Sequence, residues 1–300
     1  MSDKMLVESM QKCKRNNFLY CDWNDINSGL ECNAFDTNKG RMINHNLKDS
    51  EVGIILEVPT RASTHVKFEK VMPLLEKIAS ERLPIINPAE SFLNFSDKSY
   101  MFKFPELPFP KTEYLDQNSN LSRILSNFDK EIILKPLDGD GGYKVEKVQN
   151  NVELVRNYLN SNASDGPFLV QEFLKDINLG EKSLFFFNKE FKYGILKRPK
   201  EEKEFHCNEG YCFPLEEYFP SNEELKIAKN ALFTMKSHSM FERVDMTHSN
   251  KIIEMTLDCP GLYIIATDNN NRDYYRPGFE DKIGKWFYEL VDATLLNQKK

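Results

Sequence analysis

Glu131-Ile-Ile-Leu-Lys-Pro-Leu-Asp-Gly-Asp-Gly-Gly142 is the stretch that decides how this 300-residue chain is read. Ile132 to Leu134 form a short apolar run that delivers one lysine, Lys135, at its end. A turn of glycine and aspartate follows, and Tyr143, Val145 and Val148 then suggest a returning strand. Glycine lacks a Cβ, so backbone N–H groups can turn toward an anion. A lysine beside them adds positive charge, which suits the phosphates of a nucleotide. The pattern G-x-x-x-x-G-K-[ST] is absent, and no helix clearly follows the glycines. Two readings stay open on these residues: a flap between two strands that closes over phosphates, and a plain β-hairpin with a glycine turn and an exposed lysine.

Working outward, 40% hydrophobic content over 300 residues supports a large core and about two domains or subdomains. A net charge of -6 and a pI near 5.6 argue against a nucleic-acid binder or a binder of acidic membranes, which would need a basic face. Six cysteines (Cys13, Cys21, Cys32, Cys207, Cys212, Cys259) contain no C-x-x-C pair, so neither zinc nor a disulfide frame is suggested, and reduced thiols are the simplest reading. Met1 to Asn17 is polar and charged, without an apolar signal core, and no 18-residue apolar run occurs. The expectation is a soluble cytoplasmic protein.

Strands are expected at Phe18–Cys21, Val52–Val58 and Leu83–Asn87, with a helix over Phe68–Arg82, where Val71, Leu74, Leu75, Ile78 and Ala79 recur at helical spacing. Asn24 to Asn46 reads as polar and turn-rich. A helix capped by Ser96 is expected to Phe104, then an extended Phe109–Leu115, a helix over Asn120–Phe128, the glycine-flap strands, and a helix over Asn151–Asn160. After the polar stretch Ser161–Pro167, strands are expected at Phe168–Leu174, Ser183–Asn188, Phe191–Leu196, Phe241–Thr247 and Lys251–Leu257. Helices follow at Asn222–Ser237, capped by Asn222, and at Asp281–Leu296. The expected fold is α/β in the α+β sense, with units at 1–94, 95–167 and 168–300.

Chemistry collects in three further places. In Arg243-Val-Asp-Met-Thr-His-Ser-Asn-Lys-Ile-Ile-Glu-Met-Thr-Leu-Asp-Cys-Pro260, two adjacent antiparallel strands each carry an acid, Asp245 and Glu254. Two carboxylates meeting across a hairpin make a hard-oxygen site for Mg²⁺, which keeps phosphate oxygens and waters as its other ligands. Arg243 shares a strand face with Asp245 and can hold a transferring phosphoryl group. A surface hairpin with a salt bridge explains the same residues blandly. In Phe168–Ser183, Gln171, Glu172, Phe173 and Leu174 could read and cover an adenine, and Glu181 could accept from ribose hydroxyls; a plain strand and loop is the alternative. The loop Leu196–Gly210 gathers Arg198, His206 and Asn208, which could grip a carboxylate or phosphate, although most charged loops are merely solvated.

In this order the four features resemble the ATP-grasp superfamily, specifically the ATP-binding domain of prokaryotic glutathione synthetases, from about Ile85 to Leu262. Ile86-Asn-Pro-Ala-Glu-Ser91 with Asp97-Lys98 is similar to the opening segment of that domain, whose lysine reaches nucleotide phosphate. Ile133–Gly142 is similar to its second lysine and glycine flap. The resemblance implies an ATP-grasp fold of two subdomains after a small N-terminal domain. It implies ATP on Lys98, Lys135, Asp138, Gly139, Gly141, Gly142, Gln171, Glu172, Phe173, Leu174 and Glu181, and Mg²⁺ or Mn²⁺ on Asp245 and Glu254 with Thr256 or Asp258. Arg198, Arg243, His206 and Asn208 would act on the reacting groups. The implied activity is ligation of a small-molecule carboxylate to an amine, an amino acid or peptide, with release of ADP and phosphate, in a protein compatible with a homo-oligomer. The chain departs from the family pattern at Ser183, where an arginine is usual, at Glu254-Met-Thr256 in place of Glu-x-Asn, and in lacking an arginine near His206. Its Gly180-Glu-Lys-Ser183 and Lys-Arg-Pro runs resemble a bacterial branch with cyclo-ligases. A small-molecule kinase and an inactive nucleotide-binding regulator, the latter suggested by Thr256, are the alternatives.

Overall fold

The computed structural model describes residues 8–10, 12, 17–59, 68–95, 97–199, 205–207, 212–263, 265–267, 273–275 and 279–298. At the N-terminal end, β1 (Leu19–Tyr20), β2 (Glu31–Asp36) and β3 (Arg41–Asn46) form an antiparallel meander. Asn24 to Asn46, expected as turns, therefore holds a hairpin. The inward residues of β2 are Cys32, Ala34 and Asp36. Two small side chains and an acid give the period of two almost no apolar weight.

The pair β4 (Gly53–Ile54) and β5 (Ile85–Ile86) is parallel, joined by α1 (Phe68–Ser80). Helix α1 forms as expected, burying Val71, Leu74, Leu75 and Ile78. The expected strand Val52–Val58 shrinks to two paired residues, with Val52, Ile54 and Leu56 only half-buried. Next come α2 (Ala89–Phe95) and the single turn α3 (Tyr100–Lys103). The expected cap Ser96 lies outside the described residues.

A four-stranded antiparallel sheet follows, built from β6 (Thr112–Leu115), β7 (Glu131–Pro136), β8 (Glu146–Gln149) and β9 (Phe168–Glu172) in the order β6-β9-β7-β8. Helices α4 (Leu121–Leu125) and α5 (Val152–Ser161) cover it through Leu121, Ile124, Val155 and Leu159, packed on Ile132, Leu134 and Val170. Asn151 caps α5 by accepting from Glu153 N and Leu154 N. Strand β9 pairs with β6 and β7. It therefore shares a sheet with β6, β7 and β8, although its expected place is at the start of the 168–300 unit.

The five-stranded antiparallel sheet holds β10 (Glu181–Phe187), β11 (Glu190–Pro199), β12 (Cys212–Tyr218), β13 (Phe241–Met246) and β14 (Ile252–Thr256) in the order β12-β11-β10-β13-β14. Every residue of β10 and β13 is buried. One face carries Leu184, Phe186, Val244, Met246 and Met255 against Ala228, Ala231 and Leu232 of α6 (Asn222–Thr234). Ser221, not Asn222, caps α6, because the Ser221 hydroxyl and the Glu224 carboxylate form a reciprocal capping box. The other face is apolar at one end, where Phe185, Phe187, Tyr193 and Phe241 meet Ile283 and Phe287 of the closing helix α7 (Phe279–Gln298). A short pair, Ile265–Thr267 with Asp273–Tyr275, precedes α7. Among the described residues no helix is long and apolar enough to cross a membrane.

Asn87 ties the N-terminal elements to this sheet. Its Nδ2 donates to Phe241 O at 2.6 Å and Asp258 O at 2.8 Å, and its Oδ1 accepts from Met240 N and Phe241 N.

Candidate active site

The polar end of the second face is set by strand register. Asp245 lies directly opposite Glu254, Ser183 opposite Asp245, and Glu181 opposite Lys197. Directly opposed residues of antiparallel strands point to the same side. A ladder of Lys197, Glu181, Ser183, Asp245 and Glu254 thus crosses four strands on one face. Asp245 is fully buried and heavily engaged. It accepts from Arg243 Nε at 2.8 Å and Nη2 at 2.8 Å, and from Ser183 Oγ at 2.5 Å. Lys197 is ion-paired with Glu181, lies 3.9 Å from Asp245, and sits over the ring of Tyr263. Arg243 sits over the same ring at 5.6 Å.

Facing this ladder is the glycine flap. Strand β7 ends at Lys135 and Pro136, and Gly141 and Gly142 take positive φ values of 61° and 78°, which favour glycine. Lys98 Nζ donates to Gly139 O at 2.5 Å and lies 3.4 Å from Glu254 Oε1. Lys98, Lys135, Gly139, Gly141, Gly142 and Glu254 therefore line one hollow. Its apolar end is built from Pro110, Ile133, Phe173, Leu174 and Ile253.

The charges perturb one another. Burial works against the Glu254 carboxylate, yet Lys98, Arg243, Lys135 and Lys197 together hold its pKa down at about 2. Lys135 is pushed down to about 8 by burial and by the neighbouring Lys98 ammonium, with Glu254 and Glu181 pulling the other way. Burial alone would depress Lys197, but Glu181, Tyr263 and Asp245 hold it well above the usual lysine range. Asp258 is raised to about 6, chiefly by burial.

A profile described as "Prokaryotic glutathione synthetase, ATP-grasp domain" matches residues 97–264. The chain belongs to this ATP-grasp family. It is 26% identical over 196 residues to a glutathione synthetase of Vibrio parahaemolyticus serotype O3:K6 (strain RIMD 2210633), a match covering 62% of this chain and 59% of that protein. The likeness thus spans less than two thirds of the relative. In fold, the chain is similar to D-cycloserine synthetase DcsG, with a TM-score of 0.69, 15% identity, and coverage of 96% of this chain and 94% of that one. It is also similar to the macrocyclase MdnC from Microcystis aeruginosa MRC, bound with precursor peptide MdnA, with a TM-score of 0.58, 13% identity, and coverage of 95% and 94%.

Within the ATP-grasp domain, the expected residues divide. Gln171, Glu172, Phe173, Leu174, Glu181 and His206 line the hollow with the lysines and glycines. At the flap, Asp140 lines it and Asp138 does not. The Gln171 side chain is turned away, donating to Thr112 Oγ1 at 2.8 Å, and Glu172 Oε1 accepts from Lys111 N. Glu181 is committed to Lys197. Thr256 lies opposite Arg243, on the Glu254 face. Among the described residues no three His, Cys, Asp or Glu side chains form a metal cluster by themselves.

Arg198 does not join the ladder. It lies on the alternate face of β11, half-exposed, with Nη1 on Leu179 O at 2.8 Å and its guanidinium 3.4 Å from Glu216. Lys197, one residue earlier, is the cation turned into the ladder. Both residues fall in the expected loop Leu196–Gly210, but β11 runs on to Pro199, and its period of two turns Lys197 in and Arg198 out. Asn208 lies outside the described residues. His206 Nε2 pairs with Val145 O at 3.1 Å and Phe205 packs edge-on to Phe173 at 6.2 Å, so loop 205–207 rests on Phe173 and on the residues just after the flap. Cys207 also lines the hollow.

Proposed function

We propose that this protein is an ATP-dependent carboxylate–amine ligase that joins an acid to an amine through an acyl phosphate, releasing ADP and phosphate. One observation carries the reading: Lys98 and Lys135 share a flap-covered hollow with the ionised Glu254. Two cations and a glycine turn suit a polyphosphate. Phe173, Leu174, Ile133 and Pro110 suit the faces of a base. We assign the first grasping unit to 95–172, including β9, and the second to 173–300.

Lys98 and Lys135 neutralise the triphosphate. The flap Asp138–Tyr143 and loop 205–207 exclude water from the reacting phosphorus. We assign a divalent cation to Glu254 and the opposed Asp245, with Thr256 or Asp258; Asp245 would give up part of its contact with Arg243 or Ser183 to reach it. Mg²⁺ or Mn²⁺ held there would neutralise the phosphate oxygens and polarise the transferring group. Arg243 and Lys197 lie where charge develops on that group. The substrate carboxylate oxygen bonds to the γ-phosphorus as ADP leaves. The amine nitrogen then bonds to the acyl carbon, phosphate leaves, and the amine gives up a proton. Holding the partners in line supplies most of the acceleration, and no protein nucleophile is required.

Incubating the protein with ATP, Mg²⁺ and pools of amino acids and short peptides tests this. ADP that forms only when an acid and an amine are both present supports the ligase. A phosphorylated product formed without an amine supports a kinase, and nucleotide binding without turnover supports an inactive regulator.

A further inference from the structure

A second hollow of about 650 Å³ lies in the N-terminal region and shares no lining residue with the nucleotide hollow. Its walls are the meander, the β4–β5 pair with the segment after β4, and Val291 of α7. That volume falls within the range of ligand pockets, roughly 300–1,000 Å³.

Three features describe what would fill it. First, Val52, Ile54 and Leu56 line it and remain half-buried. They alternate along one segment, so they present an apolar row to one side. This run has the composition of a buried strand, yet the chain covers it only partly. Second, β4 pairs with β5 alone, through Gly53 N to Pro84 O and Ile55 N to Ile86 O. Its other edge carries no strand among the described residues. An open edge beside an apolar row is the arrangement that accepts an added extended segment. Third, Asp22, Asp49, Glu51 and Glu57 lie in the wall, and no lysine or arginine does among the described residues. Four carboxylates around an apolar trough favour a cation.

We propose that this hollow is a docking site for an extended peptide segment that carries a lysine or arginine next to apolar residues. The apolar residues cover Val52, Ile54 and Leu56, the peptide backbone pairs along β4, and the cationic head lies among the four carboxylates. Docking here needs no turnover, so it stands or falls separately from the ligase reading.

The test is calorimetric titration of the full chain with three peptides: acetyl-Phe-Lys-Leu-amide, acetyl-Phe-Leu-Leu-amide and acetyl-Phe-Glu-Leu-amide. The lysine peptide is expected to bind at least tenfold more tightly than the glutamate peptide, and to weaken as salt rises from 50 to 500 mM. Trp23 lines the hollow, so its fluorescence should report binding and the Trp23→Phe variant should lose that signal while keeping the heat. The double variant Asp49→Lys, Glu51→Lys changes two exposed side chains, and should lose at least tenfold in affinity for the lysine peptide with an unchanged melting temperature. The proposal is overturned if none of the peptides binds at 2 mM, if the three bind alike, or if the double variant binds the lysine peptide as the parent does.

Discussion

Lys135→Met should make the empty protein more stable and its nucleotide binding weaker, and the two effects must appear together. Lys135 is 8% exposed and its pKa drops from 10.5 to about 8, mainly through burial and then through Lys98. A drop of that size corresponds to roughly 3 kcal/mol, the cost of keeping the ammonium charged at pH 7. The sign follows from linkage. The folded pKa lies below the unfolded one, so the cost is fully present below about pH 8, and stability from this group rises between about 8 and 10.5. Methionine keeps the length of the side chain and removes the charge. Relaxation around a real buried lysine reduces the gain, so about 1–3 kcal/mol is expected at pH 7, and a rise in Tm of very roughly 2–10 °C. The same change removes a cation from the proposed phosphate site. A charge-assisted hydrogen bond is worth about 1.5–3 kcal/mol, so ATP affinity should fall about 10- to 100-fold. Thermal melts at pH 7 with and without Mg-ATP, together with calorimetric titration of ATP, measure both. A variant that is less stable when empty, or that binds ATP like the parent, refutes the placement of a strained lysine at the phosphates.

Glu254→Gln should lower ADP release by about 100-fold or more while circular dichroism stays unchanged, because it removes a half-buried anion flanked by Lys98, Lys135 and Arg243. Lys197→Ala should abolish turnover and cost about 3–5 kcal/mol in urea unfolding, since it strands Glu181 in the interior. Arg198→Ala should leave turnover within about twofold by the same coupled assay, because its guanidinium lies outside the ladder. Asn87→Ala should destabilise by about 3–5 kcal/mol in urea unfolding, as Met240 N, Phe241 N, Phe241 O and Asp258 O lose a shared buried partner. Gly180→Ala should cost about 1–3 kcal/mol in a thermal melt, because φ there is +114° and a Cβ would come within 2.8 Å of Lys197 O.

What the sequence showed clearly was whatever depends on contacts along the chain. The run Ile132–Leu134, the paired strands around His248-Ser-Asn250 and the helical spacing of α1 all carry local periodicities, and each formed near its expected place. The turn brings the strands of Asp245 and Glu254 together, but their direct opposition also needs the register shift between Asp245 and Met246, without which Asp245 would face Ile253. What it hid depends on partners distant in sequence. The inward residues of β2 are too small to announce a strand, and the shrinkage of Val52–Val58 depends on β5, about thirty residues away. Lys197 and Arg198 are indistinguishable by composition. Only the register of β11 against β10, with a bulge at Phe185/Phe186, turns one inward and the other out.

The same sheet face explains why so many charges can be buried here at all. A carboxylate such as Asp245, fully withdrawn from water, is tolerable only when its oxygens are taken up, and Arg243 and Ser183 do this from within the sheet. Glu254 differs. It sits at the edge strand of the ladder and meets Lys98 at 3.4 Å, across from a flap that begins on the other sheet. Lys135 also lines this hollow but forms no ion pair among the described residues, and burial first, then the Lys98 ammonium, depresses its pKa. The sheet face around Asp245 is therefore internally paired, whereas Lys135, beside the flap, is buried without such pairing among the described residues. A bound polyphosphate would supply the missing negative charge there. Binding should then draw protons onto Lys135 above about pH 8, so ATP affinity should fall about tenfold per pH unit beyond that point. An affinity that stays level from pH 8 to pH 9.5 would mean that the Lys135 ammonium does not meet the nucleotide.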